Sequence, residues 1–160
     1  MKEKKIKDSS RAEYAMELFK EGYNCAQAVF LAFHDSYGMD SDTALKLSSS
    51  FGGGMGKLRE VCGAVSGMFM AAGLLYGYSD PKDQAAKTEH YKRIQVLAGK
   101  FEEHNHSIIC RELLGLGAGK ESPIPELRTA EYYKKRPCVE LVGMAADILD
   151  NYIIDNPRQS

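Results

Sequence analysis

Hydrophobic residues recur along most of this chain at the three- to four-residue spacing of an amphipathic helix. Capping residues, glycines and prolines divide the pattern into segments. The predicted N-caps include Asn24, Asp40 or Ser41, Asp80 and Ser107. The predicted helices span about 10–21, 24–37, 42–50, 61–79, 80–104, 110–114, 125–134 and 137–154. No segment alternates apolar and polar residues as a half-buried strand would. The fold class is therefore all-α, a single-domain bundle of about six or seven helices around a buried central helix.

Segment 61–79 is the candidate for that central helix, because it contains no charged residue. A helix that is apolar or small on every side is either a membrane span or the buried centre of a helical protein. The glycines and tyrosines of the segment, and the densely charged remainder of the chain, favour the buried centre. Gly63, Gly67 and Ala71 recur every fourth residue and form a groove that lets another helix approach closely. The same groove could serve the interface of a homodimer.

The composition is that of an ordinary globular protein that is not embedded in a membrane. Of the 160 residues, 44% are hydrophobic and 27% are charged, and the net charge of −1 gives no electrostatic case for nucleic-acid binding. Residues 1–8 are charged but lead into no apolar stretch, so we expect no signal peptide and a cytoplasmic location. We expect residues 1–9 to be frayed or disordered. Thiols are normally reduced in the cytoplasm.

Four cysteines supply the candidate chemistry. Each falls in the first turn of a predicted helix and begins the apolar stripe of that helix. Free N–H groups and the positive end of the helix dipole stabilise a thiolate at such a position and lower its pKa. Four cysteines at the inner edges of four helix starts could also converge on one point. These residues are Cys25, Cys62, Cys110 and Cys138.

The cysteine positions predict a thiol-based redox function, in which one cysteine attacks and another resolves it as a disulfide. If the chain is an enzyme, it would be a thiol–disulfide oxidoreductase with an unidentified redox partner. Cys62 is the candidate for the attacking thiolate, because it follows a mobile glycine run and lies close in sequence to Lys57 and Arg59. Cys25 is the candidate partner.

Two alternatives stay open. Four cysteines suit zinc or an iron–sulfur cluster with ligands from separate helices, and His104 and His106 are candidate additional ligands. Thiolates brought together would repel one another, so converging cysteines would be metallated or paired. Alternatively, the cysteines are buried core residues of a non-catalytic helical module. The chain has no Cys-x-x-Cys pair, so zinc-finger and thioredoxin patterns are excluded.

The cysteines and their neighbours also resemble a known family. The resemblance lies in Cys25, the glycine run before Cys62-Gly63-Ala64-Val65-Ser66-Gly67, the stretch Cys110-Arg111-Glu112-Leu113-Leu114-Gly115, and Cys138. The chain is similar, over roughly residues 14–149, to the C-GCAxxG-C-C family of small bacterial and archaeal proteins. In the central motif of this chain the cysteine precedes the glycine. The resemblance implies a redox role without a substrate, and the frequent position of the family's genes beside transporter genes implies an accessory protein of a membrane transporter as a further alternative.

Overall fold

The structure is a computed structural model that describes residues 11–119 and 121–158. Six helices in this part have eight or more residues: α1 (Arg11–Lys20), α2 (Cys25–Ala32), α4 (Ser41–Ser49), α6 (Gly63–Tyr76), α7 (Gln84–Asn105) and α10 (Cys138–Asp155). Four shorter helices connect them: α3 (His34–Tyr37), α5 (Gly52–Met55), α8 (Cys110–Leu113) and α9 (Ala130–Lys135). The described residues form no sheet, and Val61 and Ile109 make an isolated antiparallel bridge. The predicted all-α, single-domain fold is confirmed.

The core lies where α2, α6 and α10 meet. α2 carries no charged side chain and is buried on nearly every side, and it packs against α6 and α1. α10 packs mainly against α1. Most of α6 is buried, as predicted for the central helix, although Leu74 near its C-terminal end is 45% exposed. The largest fully buried side chains include Phe19, Phe30, Phe33, Phe101, Met68, Leu97 and Leu149.

The small residues of α6 allow close contact with α2. A Cβ atom added to Gly67 would lie 2.7 Å from the carbonyl oxygen of Ala26 in α2. A Cβ atom added to Gly63 would lie 2.9 Å from the carbonyl oxygen of Phe51. Both distances are shorter than real Cβ contacts, so these two positions admit glycine alone without a shift of backbone. The predicted groove therefore holds α2.

Local capping signals predicted several helix starts correctly. Asn24 is the N-cap of α2 and forms a reciprocal capping box with Gln27, and Asp40 is the N-cap of α4. The long helix α7 begins later than predicted, because Asp83 accepts the capping hydrogen bond from the Ala86 N–H while Asp80 forms a preceding turn.

Other helix boundaries differ from the prediction. The predicted helix 24–37 is interrupted at Phe33, which separates α2 from α3. Ser107 is not the N-cap of α8, because Ile109 occupies that position and donates its N–H to the Ser107 hydroxyl. The predicted helix 125–134 is shorter and begins after the N-cap residue Thr129.

No helix in the described ranges is long and apolar enough to cross a membrane. The predicted disorder of residues 1–9 lies outside the described residues.

We expect Gly67→Ala to destabilise the protein and Gly73→Ala to stabilise it. The new methyl group at residue 67 would force α2 and α6 apart, at a cost of about 1–3 kcal/mol. Gly73 lies in the same helix with no atom within 4 Å of an added Cβ, so alanine there should contribute roughly 0.5–1 kcal/mol through helix propensity. Urea unfolding of both variants measures the difference. Equal stability of the two variants would contradict the packing role of Gly67.

Candidate functional site

One cavity of about 400 Å³ is lined by all four cysteines. Cys25, Cys110 and Cys138 are the first residues of α2, α8 and α10, as predicted. Cys62 is the N-cap of α6 rather than a residue of its first turn, and its side chain makes no capping hydrogen bond. The structure therefore brings together the four residues that the sequence singled out, all as free thiols. Their chemical roles stay a prediction.

Two of the cysteine segments are joined by backbone hydrogen bonds. The Cys62 N–H donates to the carbonyl oxygen of Ile108 over 2.7 Å, and the Cys110 N–H donates to the carbonyl oxygen of Glu60 over 2.6 Å. The bridge between Val61 and Ile109 lies between these bonds. The start of α6 and the start of α8 are thus held side by side, although the two cysteines are far apart in sequence.

The glycine run before Cys62 forms a left-handed turn. The turn is closed by hydrogen bonds from the Arg59 N–H to the Gly53 carbonyl oxygen (3.3 Å) and from the Glu60 N–H to the Gly54 carbonyl oxygen (2.9 Å). Non-glycine residues in this conformation cost about 1–2 kcal/mol each, so the surroundings must hold them there. Residues with positive φ in this turn are Gly53 (69°), Gly54 (69°), Met55 (69°), Gly56 (61°), Lys57 (66°) and Arg59 (61°).

The turn directs the side chain of Arg59 into the cavity, where it is 6% exposed. Its Nη1 atom lies 3.7 Å from the Cys110 Sγ atom. Its Nε and Nη2 atoms donate to the two carboxylate oxygens of Glu121 over 2.8 and 2.9 Å. Glu126 lies 3.5 Å from the same guanidinium group and 2.6 Å from that of Arg136. A buried guanidinium group requires such partners, and the hydrogen bonds to Glu121 raise the pKa of Arg59.

Burial is the main influence on three of the four thiols. It raises the pKa of Cys62 and of Cys110, and it raises the pKa of Cys138 to about 12. The hydrogen bond and charge of Arg59 act in the opposite direction at Cys110 but are outweighed. The prediction that a helix start lowers the pKa of Cys62 is therefore wrong. The N–H groups of Val65 and Ala64 do favour its thiolate, but the cost of burying the charge is larger.

The charge of Cys25 has a larger effect on the pKa values of Cys62 and Cys138 than the charge of Cys110 has. A negative charge on Cys25 raises the pKa of Cys62, Cys110 and Cys138. The Cys25 Sγ atom lies against the start of α6, 3.1 Å from where a Cβ atom on Gly63 would be. Cys25 and Cys138 are half-buried, whereas Cys62 and Cys110 are 5% and 6% exposed. Cys25 is thus more exposed to solvent than Cys62 and lies close to it.

The metal hypothesis rests on the shared cavity alone. Among the residues that the structure describes, no group of three or more His, Cys, Asp or Glu side chains is placed to hold a metal ion. His104 lies in the last turn of α7 and His106 is the left-handed C-cap of that helix. Neither histidine lines the cavity.

Sequence reasoning missed the residues that cover the cavity. Segment 116–129 forms no helix in its described residues and places Pro123, Pro125 and Glu126 at the cavity wall. Arg128 holds the end of this segment in place. Its guanidinium group donates to the carbonyl oxygen of Phe19 over 2.7 Å and lies 3.8 Å from the centre of the Phe19 ring. A segment without apolar periodicity gives no sequence signal for such contacts.

The buried thiols predict a loss of stability in alkali. Below about pH 8.5 the thiols are protonated in both states, and their contribution to stability is fully present. Above that pH the unfolded chain releases protons that the folded protein retains, since the folded pKa values are raised. Stability should fall by about 1.4 kcal/mol per pH unit for each such thiol until the folded pKa is reached. Urea unfolding under reducing conditions measures the change in the free energy of unfolding with pH. We choose about pH 7.5, 8.5 and 9.5, which lie below, at and above the free-thiol pKa.

Cys62→Ala is the matched control for this titration, because it removes one buried thiol and leaves every other titrating group in place. Its stability should depend less steeply on pH above the free-thiol pKa than that of the unmodified protein. Identical slopes for the two proteins would contradict the raised pKa of Cys62.

Comparison with known proteins agrees with the arrangement of the cysteines. A family model described as "Putative redox-active protein (C_GCAxxG_C_C)" matches residues 23–152. An uncharacterized protein of Archaeoglobus fulgidus is 28% identical over 141 aligned residues, in an alignment that covers 84% of this chain and 87% of the archaeal protein. No solved structure matches the chain. The family match spans most of the chain and includes all four cysteines, so the chain belongs to the C_GCAxxG_C_C family.

Proposed function

We propose that this protein is a dithiol–disulfide oxidoreductase whose reactive pair is Cys25 and Cys62. The observation that carries the proposal is the position of Cys25, a half-buried thiol of the cavity whose Sγ atom lies against the start of α6, next to Cys62. Membership of a family described as redox-active supports the same chemistry. The roles of the pair are reversed relative to the sequence-based hypothesis, because Cys62 is too deeply buried to meet a substrate first.

In the first step the Cys25 thiolate attacks one sulfur of a substrate disulfide. A bond forms between the Cys25 Sγ atom and that sulfur, the substrate S–S bond breaks, and the other substrate sulfur leaves as a thiolate that takes up a proton. The product is a mixed disulfide between Cys25 and half of the substrate.

In the second step Cys62 resolves the mixed disulfide. The negative charge of Cys25 is one cause of the raised pKa of Cys62, and this charge is absent once Cys25 is covalently bound. Burial remains the main cause of the raised pKa of Cys62, but ionisation of Cys62 is opposed less after the first step than before it. The Cys62 thiolate then attacks the Cys25 Sγ atom, a Cys25–Cys62 disulfide forms, and the second half of the substrate leaves as a thiol. Two thiols of the protein are oxidised and one substrate disulfide is reduced to two thiols.

Cys110 and Cys138 provide a second pair of thiols at the same cavity. We propose that Cys110 and Cys138 reduce the Cys25–Cys62 disulfide by internal exchange. A Cys110–Cys138 disulfide forms in this step, and Cys25 and Cys62 become thiols again. The charge of Cys110 raises the pKa of Cys138, which supports the proximity of these two residues.

Two serine variants test the roles of Cys25 and Cys62. We expect Cys25→Ser to abolish single-turnover reduction of 2-hydroxyethyl disulfide, because Cys25 forms the mixed disulfide and the other half-buried thiol, Cys138, has a pKa raised to about 12 by burial. Cys62→Ser should react once and stop as a stable mixed disulfide on Cys25, since the resolving thiol is missing. Mass spectrometry of the intact protein and of its peptides identifies each state, and far-UV circular dichroism verifies the fold.

The two variants control for each other, because each removes one sulfur atom from the same cavity. A Cys62→Ser protein that accumulates no mixed disulfide, or a Cys25→Ser protein that reacts at the unmodified rate, would contradict the assignment. Native mass spectrometry of protein purified without oxygen tests the metal hypothesis at the same time. The proposal requires the mass of the bare reduced chain and a loss of two hydrogens for each disulfide formed on mild oxidation, whereas additional mass from zinc or an iron–sulfur cluster would contradict it.

A further inference from the structure

The cavity also carries features that select a class of substrate. Its volume of about 400 Å³ is that of a small-molecule site, and Cys62 and Cys110 open only slightly to solvent. Cys62 has to attack the mixed disulfide on Cys25 inside this cavity, so the half of the substrate that is bound to Cys25 must fit there. The substrate is therefore small enough to enter between residues 121–129 and the helix starts.

The wall of the cavity has more positive than negative charge. Within the described part of the chain, its lining includes four cationic side chains and one carboxylate, that of Glu126. Glu121 adds a second carboxylate through its contacts with Arg59 and Lys57. Three of the cysteines are held in the neutral thiol form by burial and do not balance this excess. The four cationic residues are Lys57, Arg59, Arg128 and Arg136.

The arginines already bind carboxylates in this structure. Glu121 accepts two parallel hydrogen bonds from Arg59, and Glu126 is shared between Arg59 and Arg136. This planar, two-pronged geometry is the one by which guanidinium groups recognise carboxylates. Glu126 is 41% exposed and belongs to a segment without helical structure, so it is the partner that a carboxylate from solvent can replace.

We propose that the substrate is a small disulfide that carries carboxylate groups, and that Arg136, with Arg59, binds one of these carboxylates in place of Glu126. This inference rests on the proposed dithiol–disulfide function and adds the chemical class of its substrate. The reaction is the exchange written above, and the electrons come from Cys25 and Cys62. The arginines bind and orient the substrate, and they stabilise the thiolate that leaves in the first step because that thiolate forms inside a cationic cavity.

Three small disulfides of similar length and different charge test the inference. They are 3,3′-dithiodipropionate (dianionic), 2-hydroxyethyl disulfide (neutral) and cystamine (dicationic). Single-turnover rates are measured with the reduced full-length protein at low salt, and each rate is divided by that of the same disulfide with free 2-mercaptoethanol. We expect the normalised rate of the dianion to be about tenfold higher than that of the neutral compound. Its advantage over the dication should be larger still. Added salt should reduce both differences.

Single substitutions identify the side chains that cause the preference for the dianionic disulfide. Arg136→Gln should reduce the preference for the dianion several-fold, and Arg136→Lys should restore part of it. Arg158→Gln, which removes an exposed arginine outside the cavity lining, should leave it unchanged. Glu126→Gln should increase the preference, because it removes the competing carboxylate. The last variant keeps the test decisive even if Arg136→Gln fails to fold, since an unchanged or reduced preference in Glu126→Gln would overturn the inference.

The remaining outcomes separate the two proposals. Equal normalised rates for the three disulfides, or the fastest rate with cystamine, would overturn the anionic substrate class and leave the dithiol–disulfide function intact. Faster reduction of a folded protein disulfide than of 3,3′-dithiodipropionate would also overturn it. Failure of the reduced protein to react with any disulfide would overturn the proposed function itself.

Discussion

The cavity depends on the close contact between α2 and α6. Cys25 begins α2 and Cys62 caps α6, so the distance between these helices sets the distance between the two thiols. Gly67 lets the backbones approach, and Gly63 leaves the space that the Cys25 Sγ atom occupies. The same small residues therefore serve packing and chemistry. A side chain at either position would widen the helix pair and separate a thiol from its neighbour, even though neither glycine has a reactive group of its own.

The second constraint is the buried guanidinium group of Arg59. A charge in a low-dielectric site costs several kcal/mol unless it is paired, so Arg59 must recruit carboxylates. Glu121 and Glu126 meet this requirement and thereby hold residues 121–129, which form no helix, over the cavity. The left-handed backbone at Arg59 is unfavourable by itself, and the ion pairs and the contact with Cys110 offset its cost. The cover of the cavity and the charge inside it thus depend on the same side chain.

Sequence reasoning succeeded where the determinants are local. Asn24 and Asp40 were recognised as helix caps because a cap acts within four residues of itself, and α2, α8 and α10 begin at the predicted cysteines. It failed where the determinants are distant or unusual. The left-handed conformation of Met55, Lys57 and Arg59 has no signature in residues that normally avoid it. The pairing of Arg59 with Glu121 spans 62 positions, and no periodic pattern relates two such residues.

The pKa of Cys62 shows that the protonation of a thiol in this cavity depends on its burial and on the charges of the other cysteines. A helix start favours a nearby negative charge by typically 0.3–1 kcal/mol, whereas complete burial of a titrating group shifts its pKa by up to about 3–5 units. Burial therefore prevails at Cys62, and a charge on Cys25 opposes ionisation of the other three cysteines further. A thiolate on Cys25 therefore disfavours a second thiolate in the cavity. This coupling suits an exchange reaction, because the resolving thiol ionises more readily once the attacking sulfur has lost its charge in the mixed disulfide.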